Sequence, residues 1–165
     1  MFVQSFLFAQ EAVTLLSDAE GGIVYHPGVV TESQAQAWYA ALRPQVPWRS
    51  EDRPMYDRIV AVPRLMASVV LNDPTRPPEI DAALAAVQSV APAPYTRVGL
   101  NLYRDGHDSV ALHNDRLHDL APRQPISILS LGAPRDMLIR PKAGGSAQRV
   151  RLETGSLLVM SHACQ

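Results

Sequence analysis

The spacing of hydrophobic and polar residues changes near residue 95 and divides the chain into a helical part and a strand-rich part. In the helical part, residues 35–42 carry apolar side chains at helical spacing and follow the capping box Thr31-x-x-Gln34. A second apolar stripe of this kind begins at Pro78. These patterns predict two amphipathic helices, both packed on the outside of a sheet.

After residue 95 the pattern becomes one of short apolar runs, most of them separated by Gly or Pro. This punctuation is typical of the strands of a sandwich or barrel. Strands are predicted at residues 23–25, 59–62, 98–103, 109–112, 126–131, 137–140, 149–152 and 156–160, with a hairpin tip at 141–147 and a short strand or helix within 1–22. The fold class expected is mostly β with flanking helices (α+β).

Proline sets the predicted limits of several elements. Pro44 is expected to end the first helix, and Pro63-Arg64 to end the strand at 59–62. Residues 44–55 are polar and interrupted by proline, which predicts a surface loop. In that loop Trp48 either stacks on a nucleic acid base beside the charge of Arg49, or simply anchors the loop; the sequence favours neither.

Length and charge exclude some classes of protein. A chain of 165 residues suits a single domain, 1–165, with one core. A net charge of -1 gives no overall field that would attract nucleic acid, so such a partner needs a local basic patch. A single cysteine, Cys164, excludes an internal disulfide and favours the cytoplasm. No signal peptide or membrane-spanning run is recognised.

The candidate chemistry lies on a predicted strand, glycine turn and second strand. Asn101 and Tyr103 share one face of the first strand, and His113 and Asp115 share one face at the end of the second. Imidazole and carboxylate ligands with open positions are typical of non-haem Fe(II) oxygenases. By itself His-x-Asp is a weak motif, and a structural histidine beside a turn aspartate is the alternative.

Several motifs occur together in one order. They are Asn101-x-Tyr103, Asp105-Gly106, His113-x-Asp115, the run from Pro125 to Gly132, Arg135-Asp136 and the run from Gly155 to Met160. In this order and spacing the chain resembles the AlkB-like branch of the Fe(II)/2-oxoglutarate dioxygenases. The resemblance is strongest over residues 98–160 and extends more weakly to 58–64.

The resemblance implies a double-stranded β-helix (jelly-roll) core at residues 95–165, preceded at 1–94 by helices and a substrate lid. It implies that iron is held by His113 and Asp115, and that Asn101 and Tyr103 bind 2-oxoglutarate, the co-substrate consumed with O₂. It further implies oxidative demethylation or hydroxylation, with alkylated DNA or RNA as one substrate class, by a monomer. Arg64 and Trp48 are the candidate substrate contacts.

Three departures from the family pattern affect this reading. Leu117 stands where relatives often carry an acidic residue that reads the base amino group, and residues 65–71 lack the aromatic that usually encloses a flipped base. Poor demethylation of 1-methyladenine and 3-methylcytosine is therefore expected. The family's second iron histidine and the arginine for the distal carboxylate of 2-oxoglutarate fall beyond the last matched strand. His162 is the remaining histidine there, but it falls short of the ligand position, so either a truncated sequence or an incomplete, inactive site is expected.

Other polar residues are predicted to have structural or solvent-exposed positions and no role in the site. His107 and His118 are expected in solvated loops, and Arg135 and Asp136 as a structural pair at the start of a strand. Two rival functions stay open at this point: an oxygenase of the same fold acting on a small molecule or protein, and a metal-free binding module that uses the barrel as a ligand cup.

Overall fold

The structure is a computed structural model that describes residues 11–55, 58–142 and 144–165. Its elements are β1 (Val13–Leu16), β2 (Ile23–His26), α1 (Glu32–Gln45), β3 (Arg49–Met55), β4 (Arg58–Val70), α2 (Pro78–Val90), β5 (Arg97–Leu102), β6 (Ile126–Leu129), β7 (Arg135–Ile139), β8 (Gln148–Leu152) and β9 (Leu157–Met160). The prediction of a mostly β fold with two helices is confirmed. The strand or helix predicted within residues 1–22 is the strand β1, although residues 1–10 lie outside the described residues.

The strands pair in three antiparallel sheets. The first sheet has the order β1-β2-β9-β6, the second has the order β3-β4-β5, and the third is the hairpin β7-β8. The described strands remain in these separate sheets and do not close into one barrel. The predicted hairpin tip is the connection between β7 and β8.

Helix α1 begins at the predicted capping box. The backbone nitrogen of Gln34 donates to Oγ1 of Thr31 at 3.2 Å, and the backbone nitrogen of Thr31 donates back to Oε1 of Gln34 at 3.2 Å. The helix passes Pro44 and ends at Gln45, so the prediction that Pro44 ends it was wrong. Proline is tolerated there because, in the last turn, its missing N–H removes one intrahelical hydrogen bond and no later turn depends on it.

Both helices pack on one face of the β3-β4-β5 sheet, as predicted. The centre of this core contains Leu42 of α1, Val46 directly after α1, and Ile80 of α2. The sheet contributes alternate residues to it: Ala67 and Val69 from β4, and Val98 and Leu100 from β5. The opposite face of β5, which carries Asn101, is therefore left away from the helices.

Two predictions about proline-containing segments were wrong. Residues 44–55 are not a surface loop, because β3 occupies most of them as the edge strand of its sheet, where proline removes no ladder hydrogen bond. Strand β4 does not end at Pro63 and continues to Val70. The register of β3 against β4 shifts between Ser50 and Asp52, opposite Pro63, and this irregularity accommodates a residue that cannot donate.

A second core lies between the β1-β2-β9-β6 sheet and the β7-β8 hairpin. Its buried residues are Ile23, Val150, Leu152, Leu158 and Met160. Strand β9 is central in its sheet, and both Leu157 and Leu158 are fully buried, so this strand is covered on both faces. Among the helices that the structure describes, none has the length and apolar character to cross a membrane.

Candidate metal and co-substrate site

The loop that follows β5 carries the candidate metal ligands. Residues 109–112 were predicted to be a strand, and this prediction was wrong: the described backbone between β5 and β6 contains no strand. One backbone hydrogen bond, from Ser109 N to Pro63 O at 2.8 Å, joins the loop to β4. This single bond connects the loop to β4 without forming a ladder.

His113 and Asp115 lie side by side in this loop. Nε2 of His113 is 4.0 Å from Oδ1 of Asp115, and both side chains are about half exposed. Nδ1 of His113 lies 2.8 Å from the carbonyl oxygen of Ala111. A carbonyl oxygen only accepts, so Nδ1 carries a proton, and Nε2 is the ring nitrogen on the side of Asp115.

These two side chains fit a metal such as Fe(II) in donor type and orientation. Nitrogen and oxygen ligands lie about 2 Å from a first-row metal such as zinc. Adjacent ligand atoms are then about 3 Å apart. The distance from Nε2 to Oδ1 therefore has to shorten by about 1 Å, which rotation of two exposed side chains can provide. In the described part of the chain no group of three or more His, Cys, Asp or Glu residues has an arrangement that could hold a metal ion, so His162 does not complete this pair.

Asn101 and Tyr103 occupy one face of the sheet, at the end of β5. Asn101 is exposed and Tyr103 is half-buried. Among the described residues neither the amide of Asn101 nor the hydroxyl of Tyr103 has a hydrogen-bond partner. Two neutral donors two residues apart, left free on one face, fit a carboxylate such as that of 2-oxoglutarate.

The turn at residues 104–108 is held by a buried carboxylate. Asp108 is 4% exposed. Its Oδ2 accepts from the backbone nitrogen and Nε of Arg104, both at 2.8 Å, and its Oδ1 accepts from Nη2 of Arg104 at 2.9 Å. These hydrogen bonds lower the pKa of Asp108 to about 2, and the same contact raises the pKa of Arg104. The turn between Tyr103 and His113 is therefore internally fixed.

Three residues that support the ligand loop were not predicted from the sequence: Gln165, Arg104 and Asp108. Oε1 of Gln165, a buried side chain, accepts from the backbone nitrogen of Asp115 at 3.1 Å. No local pattern could have indicated this contact, because 50 residues separate the two. Arg104 and Asp108, four apart with Asp105-Gly106 between them, did carry a signal, since such spacing is typical of a closed polar turn.

The two candidate substrate contacts occupy different environments. Arg64 is 6% exposed, and its Nε has no hydrogen-bond partner among the residues that the structure describes. Trp48 is half-buried against the core of α1 and α2, and its Nε1 donates to the carbonyl oxygen of Arg43 at 2.8 Å. These contacts are those of a loop anchor, and the substrate role of Trp48 stays a prediction.

Apolar side chains are exposed on both sides of the His113 and Asp115 pair. Leu112 and Leu117 are each 48% exposed. His107 and His118 are exposed, as predicted. Asp136 does not pair with Arg135 as predicted, because neighbouring residues on a strand face opposite sides; it pairs with Arg149 at 3.1 Å and with Arg151 at 3.5 Å.

The candidate site, formed by His113 and Asp115 with Asn101 and Tyr103, agrees with a match to a known protein family. The sequence model of the 2OG-Fe(II) oxygenase superfamily matches residues 71–165, which is more than half of the chain. The chain belongs to this superfamily. Fe(II) and 2-oxoglutarate are accordingly the cofactor and co-substrate that its family implies.

Three curated relatives cover about half of this chain. The DNA oxidative demethylase ALKBH2 of Homo sapiens is 36% identical over 84 residues, which are 46% of this chain and 32% of that protein. The Mus musculus protein of this name is 33% identical over 92 residues, 51% and 38% of the two chains. The Bos taurus protein is 32% identical over 93 residues, 52% and 34% of the two chains. This chain spans about a third of the length of these relatives.

Proposed function

We propose that this protein is an iron- and 2-oxoglutarate-dependent dioxygenase that oxidatively removes alkyl groups from nucleic acid bases. The observation that carries the proposal is the pair His113 and Asp115, 4.0 Å apart with Nε2 of the imidazole free. Membership of the superfamily supports it, as does similarity to proteins named DNA oxidative demethylases. The jelly-roll arrangement of the family is part of the same proposal.

In this proposal each residue of the site has a separate task. His113 and Asp115 hold Fe(II), and Asn101 and Tyr103 orient a carboxylate of 2-oxoglutarate by donating hydrogen bonds. When bound, iron with 2-oxoglutarate and O₂ supplies the oxidation: one oxygen atom enters a substrate C–H bond and the other enters succinate as CO₂ is lost. A hydroxylated N-methyl group then leaves as formaldehyde. The protein supplies position and orientation.

The exposed apolar residues beside the pair favour a nucleobase over a small polar substrate. Leu112 directly precedes His113 and Leu117 follows Asp115 by two residues, and their exposed aliphatic side chains suit the face of an extruded base. No feature of this site specifically favours the rival hypothesis, an oxygenase of the same fold that acts on a small molecule or a protein.

Alanine substitutions at the two ligands test the metal assignment, with a control pair inside the same loop. His118 and Asp119 form another exposed histidine and aspartate pair, with Nε2 3.6 Å from Oδ1. We expect His113→Ala and Asp115→Ala to weaken Fe(II) binding more than tenfold and to abolish succinate release, while His118→Ala changes neither. Because all of these side chains are exposed, the midpoint of thermal unfolding should change little. Equal iron affinity in the three variants would contradict the assignment.

The reaction itself is tested with single-stranded oligonucleotides that carry one methylated base. Formaldehyde and succinate are measured in the presence of Fe(II) and 2-oxoglutarate, with the unmethylated oligonucleotide as control. Equal amounts of both products, formed from the methylated strand alone, are expected. If succinate is released but no methylated oligonucleotide increases its release, the dioxygenase activity is supported and the nucleic acid substrate is contradicted.

A further inference from the structure

Arg135, at the start of β7, contacts both segments that carry the candidate site. Its guanidinium carbon lies 4.1 Å from the centre of the Tyr103 ring. Its Nη1 donates to the carbonyl oxygen of Asp105 at 3.2 Å, and its Nη2 donates to the carbonyl oxygen of Asp108. One side chain of β7 therefore touches the end of β5 and the turn that leads to the metal ligands.

The arrangement depends on the shape of the arginine side chain. The guanidinium lies over the ring of Tyr103, where the negative face of the aromatic system attracts a cation. Its edge carries N–H donors, which remain free to bond with two carbonyl oxygens at once. Arg135 and Tyr103 are both half-buried, which reduces screening of this attraction by water.

The two acceptor carbonyls belong to a turn that holds its own shape. Oδ1 of Asp105 accepts from the backbone nitrogens of His107 at 2.8 Å and Asp108 at 3.2 Å. The carboxylate of Asp108 is in turn bound by Arg104. Because the turn is fixed within itself, fixing two of its carbonyls positions it as a unit, and His113 follows five residues after Asp108.

We propose that Arg135 is a positioning residue for 2-oxoglutarate, which acts by holding the ring of Tyr103. This inference rests on the proposed function, in which the hydroxyl of Tyr103 donates to the co-substrate. Arg135 itself contacts neither the metal nor the co-substrate. It restricts the tilt of the ring, so that the hydroxyl already points along the donor face before the ligand arrives. Preorganisation of this kind lowers the cost of binding.

A double-mutant cycle separates this role from a general structural one. The variants are Arg135→Gln, Tyr103→Leu and the two together, and the affinity for radiolabelled 2-oxoglutarate is measured by equilibrium dialysis with Fe(II) under nitrogen. Arg135→Gln should weaken binding about tenfold in the parent protein, the lower end of the range for residues that orient site ligands. Without the Tyr103 ring, the same change should cost less than about twofold, because a residue that acts through another has no effect once the other is gone.

Two further variants control for charge and folding. Arg135→Lys keeps a cation near the ring but cannot bond with both carbonyls in one plane, so it should recover part of the lost affinity. Arg140→Gln removes an exposed guanidinium just after β7 and should leave the affinity unchanged. In parallel, the ring resonances of Tyr103, assigned with Tyr103→Phe, should shift in Arg135→Gln in the absence of any ligand.

Each outcome decides one proposal. An equal loss of affinity in both backgrounds, or unchanged Tyr103 resonances in Arg135→Gln, would overturn the positioning role while the proposed function stands. A parent protein that binds no 2-oxoglutarate would overturn the proposed function, and with it the role of Arg135. Coupled losses, partial recovery by lysine and a shifted ring resonance together are the expected result.

Discussion

Val30 and Gly155 are packed backbone against backbone. The nitrogen of Val30 donates to the carbonyl oxygen of Gly155 at 3.1 Å, while a Cβ atom on Gly155 would lie 2.2 Å from the carbonyl oxygen of Val30. Gly155 also has a φ of +77°, a region that residues with a side chain rarely adopt. This contact joins the turn before α1 to the turn before β9, so it links the two halves of the chain.

Substitution of Gly155 should therefore destabilise the fold for two reasons, and Gly28 separates them. Gly28 has a φ of +60° but open space around its Cβ position. Gly28→Ala should lower the free energy of unfolding by about 1 to 2 kcal/mol through backbone strain. Gly155→Ala should lower it by about 1 to 3 kcal/mol more, because the backbone of Val30 must move. Urea denaturation of both variants provides the measurement, and equal losses would contradict the close contact.

Acid should weaken the turn that precedes the candidate metal ligands. The hydrogen bonds from Arg104 lower the pKa of Asp108 to about 2, below the value of about 3.9 in an unfolded chain. The unfolded chain then binds more protons in between, so the stabilisation is complete above about pH 4 and is lost as the pH falls toward about 2. Asp18, whose pKa is lowered to about 2 chiefly by the hydrogen bond from Ser161, should act in the same window.

The prediction for this window is a change of slope. The free energy of unfolding of the parent protein should fall between about pH 4 and about pH 2.5, and Asp108→Asn should be less stable at neutral pH but fall less steeply. Denaturation in urea at several pH values measures both quantities. Parallel curves for the two proteins would show that Asp108 titrates normally in the folded state.

Leu117 offers a test of base recognition. It is 48% exposed and lies two residues after the candidate ligand Asp115. A carboxylate here would accept a hydrogen bond from the amino group of a base, and such a bond to a charged group contributes roughly 1.5 to 3 kcal/mol. Leu117→Asp should raise the rate of demethylation of 3-methylcytosine at least severalfold over the parent protein. Leu112→Asp, equally exposed but on the other side of the pair, is the control and should give no gain.

Trp48→Phe distinguishes an anchor from a stacking platform. Phenylalanine keeps an aromatic face but loses the hydrogen bond from Nε1 to Arg43 O, at 2.8 Å. An anchor should lose about 0.5 to 1.5 kcal/mol of unfolding free energy with unchanged binding of single-stranded DNA. The contacts with the core of the two helices favour this outcome. Weaker DNA binding at unchanged stability would instead support the substrate role.

Much of the fold could be predicted from local patterns, because side-chain alternation and helix capping determine where the strands and helices form. The alternation along β5 correctly separated the exposed face with Asn101 from the face with Leu100, and the capping box located the start of α1. The errors at Pro44 and Pro63 have one cause. Proline was treated as the end of an element, whereas a helix terminus, a sheet edge and an irregular ladder all tolerate a missing N–H.

The candidate site was predicted only in part. His113 and Asp115 do lie together, but they lie in a loop, so the predicted strand geometry is not what brings them together. Among residues 109–112 only Val110 is a strong strand former, and all four residues are exposed. One hydrogen bond, from Ser109 N to Pro63 O, therefore stands where a ladder was predicted. The contact of Arg135 with Tyr103 depends on where the start of β7 lies relative to the end of β5. The order of motifs along the chain does not predict this relative position.

The position of β9 also determines when the protein can fold. Strand β2 forms hydrogen bonds with β9 along its whole length, although most of the chain separates the two in sequence. As a chain emerges from the ribosome, the hairpin β1-β2 therefore carries an open edge until β9 has been made. Pairings this distant are slow to form and leave apolar surface exposed in the meantime. We expect the newly made chain to depend on chaperones that shield this hairpin during synthesis.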